Sequence, residues 1–332
     1  MPTRDKILIA IVVLISAAIL IGKGADSNVL AAGSSQGAFD RSLTVNGPVQ
    51  LSLENGSGSV TIRRGAADKV EVHAKVRARS WFSDTDDQIR NIEQNPPIEQ
   101  NGNSIRIYKP EPHDTFNGVS ITYDITVPED TRLSSSTGSG SQLIESVKGP
   151  VTVRSGSGSL VVNGIGADVE ARTGSGSVKM DKVNGRVDIQ TGSGSVDAFD
   201  VAGGARIRTG SGSIEFRQTA PGDVDAESGS GSISLDNVTG AAIARCGSGG
   251  IRINGEPKGN WEFHSGSGAI DIRTRGNAGF DLYARTNSGR VNIGSPITVE
   301  GGQLNPREVR GKVRGGGTTL EAVTGSGSIR IE

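Results

Sequence analysis

The hexapeptide TGSGSV stands at residues 173–178 and again at residues 191–196, 18 residues further along the chain. The same spacing continues in both directions, because the first glycine of each Gly-Ser-Gly element recurs in steps of 18 or 19 residues, at positions 138, 156, 174, 192, 210, 229, 247 and 266. An earlier copy begins at Gly56, a degenerate copy occupies residues 287–289, and a full copy returns at Gly325. Self-similarity at a fixed period indicates a repeat architecture, in which each unit buries its apolar side against its neighbours.

One repeat, residues 177–194, reads SVKMDKVNGRVDIQTGSG. Its apolar residues alternate with polar ones, first at Val178 and Met180 and then at Val187 and Ile189. A period of two over short runs, bounded by Asn-Gly and Gly-Ser-Gly, is typical of half-buried strands joined by tight turns. Each repeat is therefore predicted to contain two strands and two turns.

Two architectures can stack such units: a β-solenoid, with like residues one above another at ~4.8 Å, and an antiparallel meander of hairpins. The column through Thr191 holds a small, mostly hydroxylated residue at every level: Ser155, Thr173, Thr191, Thr209, Ser228, Cys246, Ser265 and Thr286. Stacked hydroxyls that bond one another along the ladder would explain this column, which favours the solenoid. Asn184-Gly185 is a good hairpin turn and leaves the meander open. We predict an all-β fold, a β-solenoid of roughly 18-residue coils preceded by one N-terminal hydrophobic helix.

Gly-Ser-Gly is interpreted as the corner of each coil, where glycine permits positive φ and close backbone approach. A phosphate-binding loop is excluded, because no Gly-Lys-Ser/Thr ending or helix follows. A calcium-binding nonapeptide repeat requires an aspartate at a fixed offset. That offset holds Lys179, Asp197, Glu215, Ser234 and Arg252.

Composition sets further limits on the chain of 332 residues. An aromatic content of 4% predicts a thin core of aliphatic residues. A net charge of −1 gives no electrostatic reason to expect nucleic acid as a partner. The single cysteine, Cys246, excludes an intramolecular disulfide.

The N-terminus differs from the rest of the chain. Arg4 and Lys6 precede the uncharged run ILIAIVVLISAAILI at residues 7–21, which suits a secretory signal or an N-terminal membrane anchor. Both alternatives place the remainder of the chain outside the cytoplasm. The expected organisation is a signal peptide or anchor at residues 1–25, a flexible spacer at 26–40, and the solenoid at 41–332.

Two segments interrupt the repeat. Residues 77–103 are expected to leave the first coil as a lid or side excursion, in which Ser83 caps a short helix that ends before Pro96. Residues 294–317 are polar and glycine-rich and replace an expected Gly-Ser-Gly copy.

The chain resembles the bacterial exported β-strand-repeat family that carries an adhesin label. The residues that carry this resemblance are the Gly-Ser-Gly-Ser-Val ladder, TYDITVPEDTRL at 122–133 and GGGTTLEAVTGSGSIRIE at 315–332. The resemblance covers approximately residues 45–332 and implies a β-helical, envelope-exposed domain with no established enzymatic activity. It implies no catalytic residues. The chain departs from the family in the regularity of its corners and in the insertion at 77–103.

Side chains that carry chemistry in other proteins have structural interpretations here. The three histidines are scattered, and His264 falls on an outward position. Cys246 takes the small inward slot, which favours a buried thiol over a nucleophile. Trp261 and Phe263 fall on inward positions and are interpreted as core. A turn column of Asp181, Asp200 and Asp236, with Asn163 and Asn254, resembles the carboxylate rows of polysaccharide lyases, but Asx residues are common at turns.

One surface pattern supports a functional hypothesis. The outward position before the threonine column reads Arg154, Arg172, Gln190, Arg208, Glu227, Arg245, His264 and Arg285. We define its five arginines, Arg154, Arg172, Arg208, Arg245 and Arg285, as the arginine stripe, which suits acidic polysaccharide or anionic headgroups. Two residues earlier lies a partly acidic column: Thr152, Glu170, Asp188, Arg206, Asp225, Ile243, Glu262 and Tyr283. Pairing between the columns, which keeps a flat sheet soluble, is the alternative interpretation.

These observations predict a non-enzymatic, exported cell-envelope protein that acts as an adhesin-like surface-binding or scaffolding module. The expected partners are cell-surface polysaccharide or an anionic envelope component, and the membrane through the N-terminal segment. No cofactor or metal is predicted. The alternatives are a β-helical enzyme acting on acidic polysaccharide and an envelope scaffold that associates with itself through its open ends.

Overall fold

The computed structural model of the chain describes residues 33–80, 85–109, 118–299 and 305–332. These residues contain one helix, α1 (Thr85–Gln94), and 27 β-strands. In chain order the strands are β1 (Gly33–Thr44), β2 (Val49–Ser57), β3 (Val60–Arg64), β4 (Lys69–Ser80), β5 (Ile98–Asn101), β6 (Ser104–Ile107), β7 (Val119–Val127), β8 (Thr131–Ser139), β9 (Gln142–Glu145), β10 (Val151–Ser155), β11 (Leu160–Ile165), β12 (Val169–Thr173), β13 (Val178–Val183), β14 (Val187–Thr191), β15 (Val196–Val201), β16 (Ala205–Thr209), β17 (Ile214–Gln218), β18 (Val224–Ser228), β19 (Ile233–Cys246), β20 (Ile251–Ser265), β21 (Ile270–Thr274), β22 (Phe280–Thr286), β23 (Val291–Ile293), β24 (Ile297–Val299), β25 (Glu308–Val313), β26 (Thr318–Thr324) and β27 (Ile329–Ile331).

The central strands form a β-solenoid. Each strand pairs in parallel with the equivalent strand of the next repeat, so that Val151 lies beside Val169 and Val169 beside Val187. An antiparallel meander would pair unlike strands within one repeat, so the hairpin interpretation of Asn184-Gly185 is wrong. The prediction of coils of about 18 residues is confirmed.

The two strands of every coil belong to two parallel ladders. The front sheet is defined as β6, β2, β8, β10, β12, β14, β16, β18, residues 242–246 of β19, residues 261–265 of β20, β26 and β22. The back sheet is defined as β7, β3, β9, β11, β13, β15, β17, residues 233–236 of β19, residues 251–255 of β20, β21, β27 and β23. Alternate residues of both sheets face inward and form the core, as the period of two predicts.

The core is thin and aliphatic in the central coils and gains aromatic residues towards the C-terminal end. Val187 and Ile189 are fully buried in one coil, and Trp261 and Phe263 are fully buried in a later one. The two aromatic rings meet edge to face, with centroids 5.7 Å apart. The indole Nε1 of Trp261 donates a hydrogen bond to the Gly240 carbonyl at 3.0 Å. The interpretation of this aromatic pair as core is therefore confirmed.

The small, mostly hydroxylated column faces inward, as predicted, but its hydrogen bonds differ from the expected pattern. Thr191 Oγ1 donates to the Gly176 carbonyl at 2.9 Å and accepts from the Gly194 N–H at 3.1 Å. Each hydroxyl thus joins the corner of its own coil to the corner of the neighbouring coil. Direct bonding between successive hydroxyls occurs only from Thr137 to Ser155 at 3.2 Å in the described part of the chain. The other hydroxyls bond to the backbone groups of the corner and not to one another, because these backbone groups lie inside the coil and would otherwise be buried without hydrogen-bond partners.

Close backbone approach, and not positive φ, explains the corner glycines of the central coils. A Cβ added to Gly176 would lie 2.0 Å from the Gly158 carbonyl oxygen, a distance that no side chain permits. The corner glycines from Gly156 to Gly268 are absent from the described residues with positive φ, so that part of the prediction is wrong. The opposite corner uses left-handed backbone at non-glycine residues, among them Lys182 and Asp200, both with φ of 55°.

Antiparallel strands and a helix complete the N-terminal end of the solenoid. The strand β4 pairs antiparallel with β7, and β5 pairs antiparallel with β6. Helix α1 buries Ile89 and Ile92 in the common core and ends before Pro96, as predicted, whereas Ser83 lies outside the described residues. Residues 77–103 are therefore not a side excursion. They supply the end of β4, the helix and β5, which cover apolar surface that the terminal coil would otherwise expose.

The predicted spacer at 26–40 is only partly described, and its described part is a strand. Residues 33–40 belong to β1, which pairs with β4. The Ala38 N–H donates to Glu93 Oε1 of α1 at 2.8 Å. Hydrogen bonding to both a strand and the helix orders a segment whose composition resembles a linker.

The order of coils in space differs from their order in the chain at the C-terminal end. The strand β26 lies between β20 and β22, so the final Gly-Ser-Gly copy stacks directly on the copy at 266. The degenerate copy at 287–289 stacks on the copy at 325, and among the described residues no other corner stacks on its far side. The inward column therefore continues from Ser265 to Thr324 and only then to Thr286. The strand β25, within the predicted interruption at 294–317, pairs antiparallel with β22 and closes this end.

The predicted N-terminal hydrophobic helix falls within residues 1–32, outside the described residues. In the part of the chain that is described, no helix has the length and apolar character needed to cross a membrane.

Candidate functional site

The arginine stripe lies on the outer face of the front sheet, beside the corner glycines. Arg154, Arg172, Arg208 and Arg245 each precede an inward residue of the small, mostly hydroxylated column, which in turn precedes a glycine, whereas Arg285 is followed by Thr286 and then by Asn287. The arginines therefore border a shallow groove along the corner edge. Two adjoining stretches of this groove have volumes of 720 and 620 Å³ and share Arg208, Thr209 and Gly210.

The register gives the stripe its spacing. Arg154 and Arg172 are direct neighbours, whereas Gln190 lies between Arg172 and Arg208. Levels stack at ~4.8 Å, so residues two levels apart are separated by ~10 Å. Arg285 is more distant than the sequence predicts, because the inserted strand β26 places Val323 between it and His264. The structure thus brings together four of the five arginines and separates the fifth.

Carboxylates of the neighbouring column, together with Glu227 of the arginines' own column, pair with Arg154, Arg172, Arg208 and Arg245. The Glu170 carboxylate lies 2.7 Å from Arg154 and 3.3 Å from Arg172. Arg208 contacts Asp225 at 3.7 Å and Glu227 at 3.1 Å.

Arg245 spans two carboxylates in the same way. It contacts Glu262 at 2.7 Å and Glu227 at 3.6 Å. The hydrogen bond to Glu262 raises the pKa of Arg245; burial opposes this shift, and the charges of Glu262, Glu227 and Asp225 reinforce it. Cross-strand pairing, the alternative interpretation of the stripe, is therefore present in the structure.

The charge of this surface is balanced. Between residues 152 and 264 the two outward columns of the front sheet hold five arginines, Arg154, Arg172, Arg206, Arg208 and Arg245, and five carboxylates, Glu170, Asp188, Asp225, Glu227 and Glu262. All five arginines remain partly exposed, with 42–48% of the side chain accessible. A guanidinium has five N–H donors, so an arginine paired to a carboxylate still has donors for a ligand.

A row of exposed serine hydroxyls lies one residue beyond the glycines that line the groove, and the sequence pattern alone did not indicate it as part of the site. The middle serine of each corner is exposed at successive levels: Ser157, Ser175, Ser193, Ser211, Ser230, Ser248 and Ser267. The signal was present in the Gly-Ser-Gly repeat, but the serine was interpreted there as satisfying the turn backbone. That role belongs instead to the inward column.

The Asx residues of the turn column do not bring their carboxylates into one row, in agreement with their interpretation as turn residues. Asp181 lies beside Phe199, not beside Asp200, because the strands of the back sheet pair at that register. Asp200 instead occupies a left-handed corner position and pairs with Arg217 at 2.9 Å. Asp236 contacts Asn254 at 3.0 Å and Arg275 at 3.6 Å. These carboxylates are separated and already have partners.

The described histidines and the cysteine also have local partners. His73 Nδ1 lies 2.5 Å from Asp40, and His264 Nε2 lies 3.1 Å from Glu262. Cys246 is buried in the inward column, where its thiol donates to the Gly231 carbonyl at 2.9 Å. His113 lies outside the described residues. The described residues include no cluster of three metal-ligating side chains.

The regular corner ladder with its closing ends agrees with one family in particular. The Toastrack DUF4097 family matches residues 49–332. The chain belongs to this Toastrack family. The match spans both the central coils and the inserted C-terminal coil, so the predicted family resemblance is confirmed.

Two solved structures resemble the Toastrack chain at low sequence identity. One is from Clostridium sporogenes and is provisionally named a cell adhesion protein; it is 14% identical, with a TM-score of 0.22 over 90% of this chain and 99% of its own. The other, from Bacteroides fragilis, is provisionally named an adhesin; it is 12% identical, with a TM-score of 0.29 over 90% of this chain and 98% of its own. No curated protein matches the sequence.

Proposed function

We propose that this Toastrack protein is a non-enzymatic, exported, adhesin-like module of the cell envelope, and that the corner groove binds extended polysaccharide. The observation that carries this proposal is the groove itself, which is lined along the solenoid by partly exposed arginines and has a row of exposed serine hydroxyls one residue beyond its glycines. A linear ligand that runs along the solenoid would meet an arginine and a serine hydroxyl at every coil or at every second coil. Several weak contacts along one chain then add to a useful affinity.

The balanced charge defines which polymer suits the groove. A densely charged polyanion would be repelled by the carboxylates that share the arginines, such as Glu170 and Glu227. A polysaccharide with scattered carboxylates offers both acceptors for the arginines and hydroxyl groups for Glu170 and the serine row. We therefore expect a sparsely acidic polysaccharide, bound with modest salt dependence.

Export rests on the N-terminal sequence. The run of 15 uncharged apolar residues at 7–21, preceded by Arg4 and Lys6, has the character of a signal or an anchor. A cell-envelope location, anchored to the membrane or periplasmic or extracellular, would place the groove within reach of surface polysaccharide.

Substitution of the stripe tests the binding site. The triple variant Arg172→Gln, Arg208→Gln, Arg245→Gln of the full chain in detergent should lose at least tenfold in affinity for acidic oligosaccharides on a glycan array. Its circular dichroism spectrum should not change, because exposed ion pairs contribute only ~0–1 kcal/mol each. The matched control is Arg217→Gln, Arg252→Gln, Arg273→Gln on the back sheet, which should bind as the wild type does.

Two results would overturn the proposal. One is a folded triple variant that retains wild-type affinity, and the other is a wild-type chain that binds neither acidic oligosaccharides nor anionic liposomes at low salt. Release of new reducing ends from a bound polysaccharide would instead show an enzyme.

A further inference from the structure

A second concave site lies at the N-terminal end of the same corner edge, where the repeat is interrupted. This basic corner pocket has a volume of 470 Å³. The residues that line it include Glu54, Asn55, Ser57, Arg79, Tyr108, Lys109 and Tyr123. A volume of this size accommodates one or two sugar rings. In contrast to the groove, it combines residues from β2, β4 and β7 with the segment that follows β6.

The cations of this pocket differ from the arginine stripe, whose members are paired with carboxylates. Arg79 and Lys109 form no ion pair with any carboxylate in the described part of the chain, and both are exposed. The Lys109 side chain lies over the corner, with Cε 3.4 Å from the position of a Cβ on Gly56. Glu54 is the carboxylate that lines the pocket, so the described lining carries two cations and one anion.

A buried phenol in the pocket lacks a protein partner. Tyr123 is 1% exposed, lines the pocket, and forms no hydrogen bond with the other described residues. Buried tyrosine hydroxyls usually have a hydrogen-bond partner. Burial raises the pKa of Tyr123 well above its usual range, so the phenol remains protonated and can donate. An acceptor on a ligand would satisfy it.

The neighbouring amide is fixed in one orientation. Asn55 replaces the hydroxyl of the inward column at this level, and its Nδ2 donates to the carbonyls of Ile121 at 2.8 Å and Gly58 at 3.2 Å. Its Oδ1 is therefore left as an acceptor on the side of the pocket. Ser57 and Glu54 add further oxygen atoms, and the half-buried Tyr108 adds an aromatic ring.

We infer that the basic corner pocket binds one acidic sugar unit, whose carboxylate contacts Arg79 and Lys109 and whose hydroxyl groups contact Glu54, Asn55 and Tyr123. A sugar carboxylate carries one negative charge. It balances the net charge of +1 that Arg79, Lys109 and Glu54 give to the pocket. A phosphate dianion would add repulsion from Glu54. The inference does not rest on the arginine stripe, because it uses none of its residues.

Isothermal titration of the full chain in detergent with galacturonate as the free monosaccharide tests the inference. The double variant Arg79→Gln, Lys109→Gln should lose at least tenfold in affinity, and Tyr123→Phe at least threefold. The control Arg77→Gln removes a cation from the same strand but outside the pocket and should bind as the wild type does. The triple variant of the arginine stripe should retain this affinity for a single galacturonate unit, which separates the two sites.

The phenol variant distinguishes a binding role from a structural one. Because the Tyr123 hydroxyl has no partner among the described residues, its removal should not lower the melting temperature. A lower melting temperature of Tyr123→Phe with unchanged affinity would overturn its assigned role. Wild-type affinity for galacturonate in the double variant would overturn the site. Equal affinity of the wild type for galacturonate and for neutral galactose would also overturn it. Tighter binding of galactose phosphate than of galacturonate would overturn the ligand class.

Discussion

The central coils and the two ends of this solenoid bury the same kind of inward residue but hold it in different ways. From β10 to β18 every strand has a parallel neighbour on each side, and every front-sheet level repeats one hydroxyl bridge and one pair of corner glycines. At the ends the pairing becomes antiparallel, the corner glycines are interrupted, and α1 contributes to the core.

This difference shows what each region requires of its residues. A central coil must accept a neighbour on both sides, so its corner cannot vary without displacing the next backbone. A terminal coil is free on one side, so it can carry a helix, an insertion or a polar pocket.

The largest effect is expected where a charge enters the inward column. Thr191→Lys would bury an unpaired ammonium and remove the hydroxyl bridge, at a cost on the order of 4 kcal/mol. Gln190→Lys, one residue earlier on the outer face, should cost less than about 0.5 kcal/mol. Thermal unfolding of both variants measures the difference. Equal melting temperatures would contradict the inward register.

A smaller effect should separate a central glycine from a terminal one. Gly176→Ala would place a Cβ 2.0 Å from the Gly158 carbonyl oxygen, so adjacent coils must move apart at a cost of about 3 kcal/mol. Gly102, in the turn between β5 and β6, has φ of 58° and open space around its Cβ position. Gly102→Ala should cost only the backbone strain, about 1 kcal/mol. Urea unfolding compares them, and the reverse order would show that coil spacing does not limit the corner.

The smallest and most local effect is expected at the helix. Ile92→Ala removes a fully buried side chain of α1 and should destabilise the N-terminal end by about 2 kcal/mol. Because repeat proteins transmit stability mainly between neighbours, hydrogen exchange should increase in β5 and β6 but not in β12 to β14. Gln94→Ala, on the exposed side of the same helix, is the control. Uniform loss of protection along the chain would indicate that the ends and the centre unfold together.

Sequence reasoning succeeded where one residue type recurred at a fixed interval. The step of 18 predicted the solenoid, the alternation around Ile189 predicted the buried face, and the outward arginines were placed on one sheet. The ion pairs were foreseen as an alternative, because the partly acidic column was visible beside the arginines. The turn interpretation of the Asx column agrees with the structure, since the register places Phe199 and not Asp200 beside Asp181.

The basic corner pocket could not be predicted, because its residues come from four separate segments between 54 and 123. No periodic signal connects Arg79, Lys109 and Tyr123; the antiparallel pairing of β4 with β7 and the pairing of β6 with β2 bring them together. The unusual Asn55 at a position that elsewhere holds threonine, serine or Cys246 was the single sequence signal available.

The sequence by itself determined the coil length, the inward face, the glycine corners and the family, because each depends on contacts that are repeated at every level. Only the tertiary structure decided the order of the terminal coils, the partners of the hydroxyls and the role of residues 33–40 and 77–103. Those features depend on how the strands pair at the two ends of the solenoid, where the repeat no longer specifies the neighbour of each strand. The insertion of β26 between β20 and β22 is the clearest case: the intact corner at 325–327 packs against another intact corner, and the degenerate corner is left outermost.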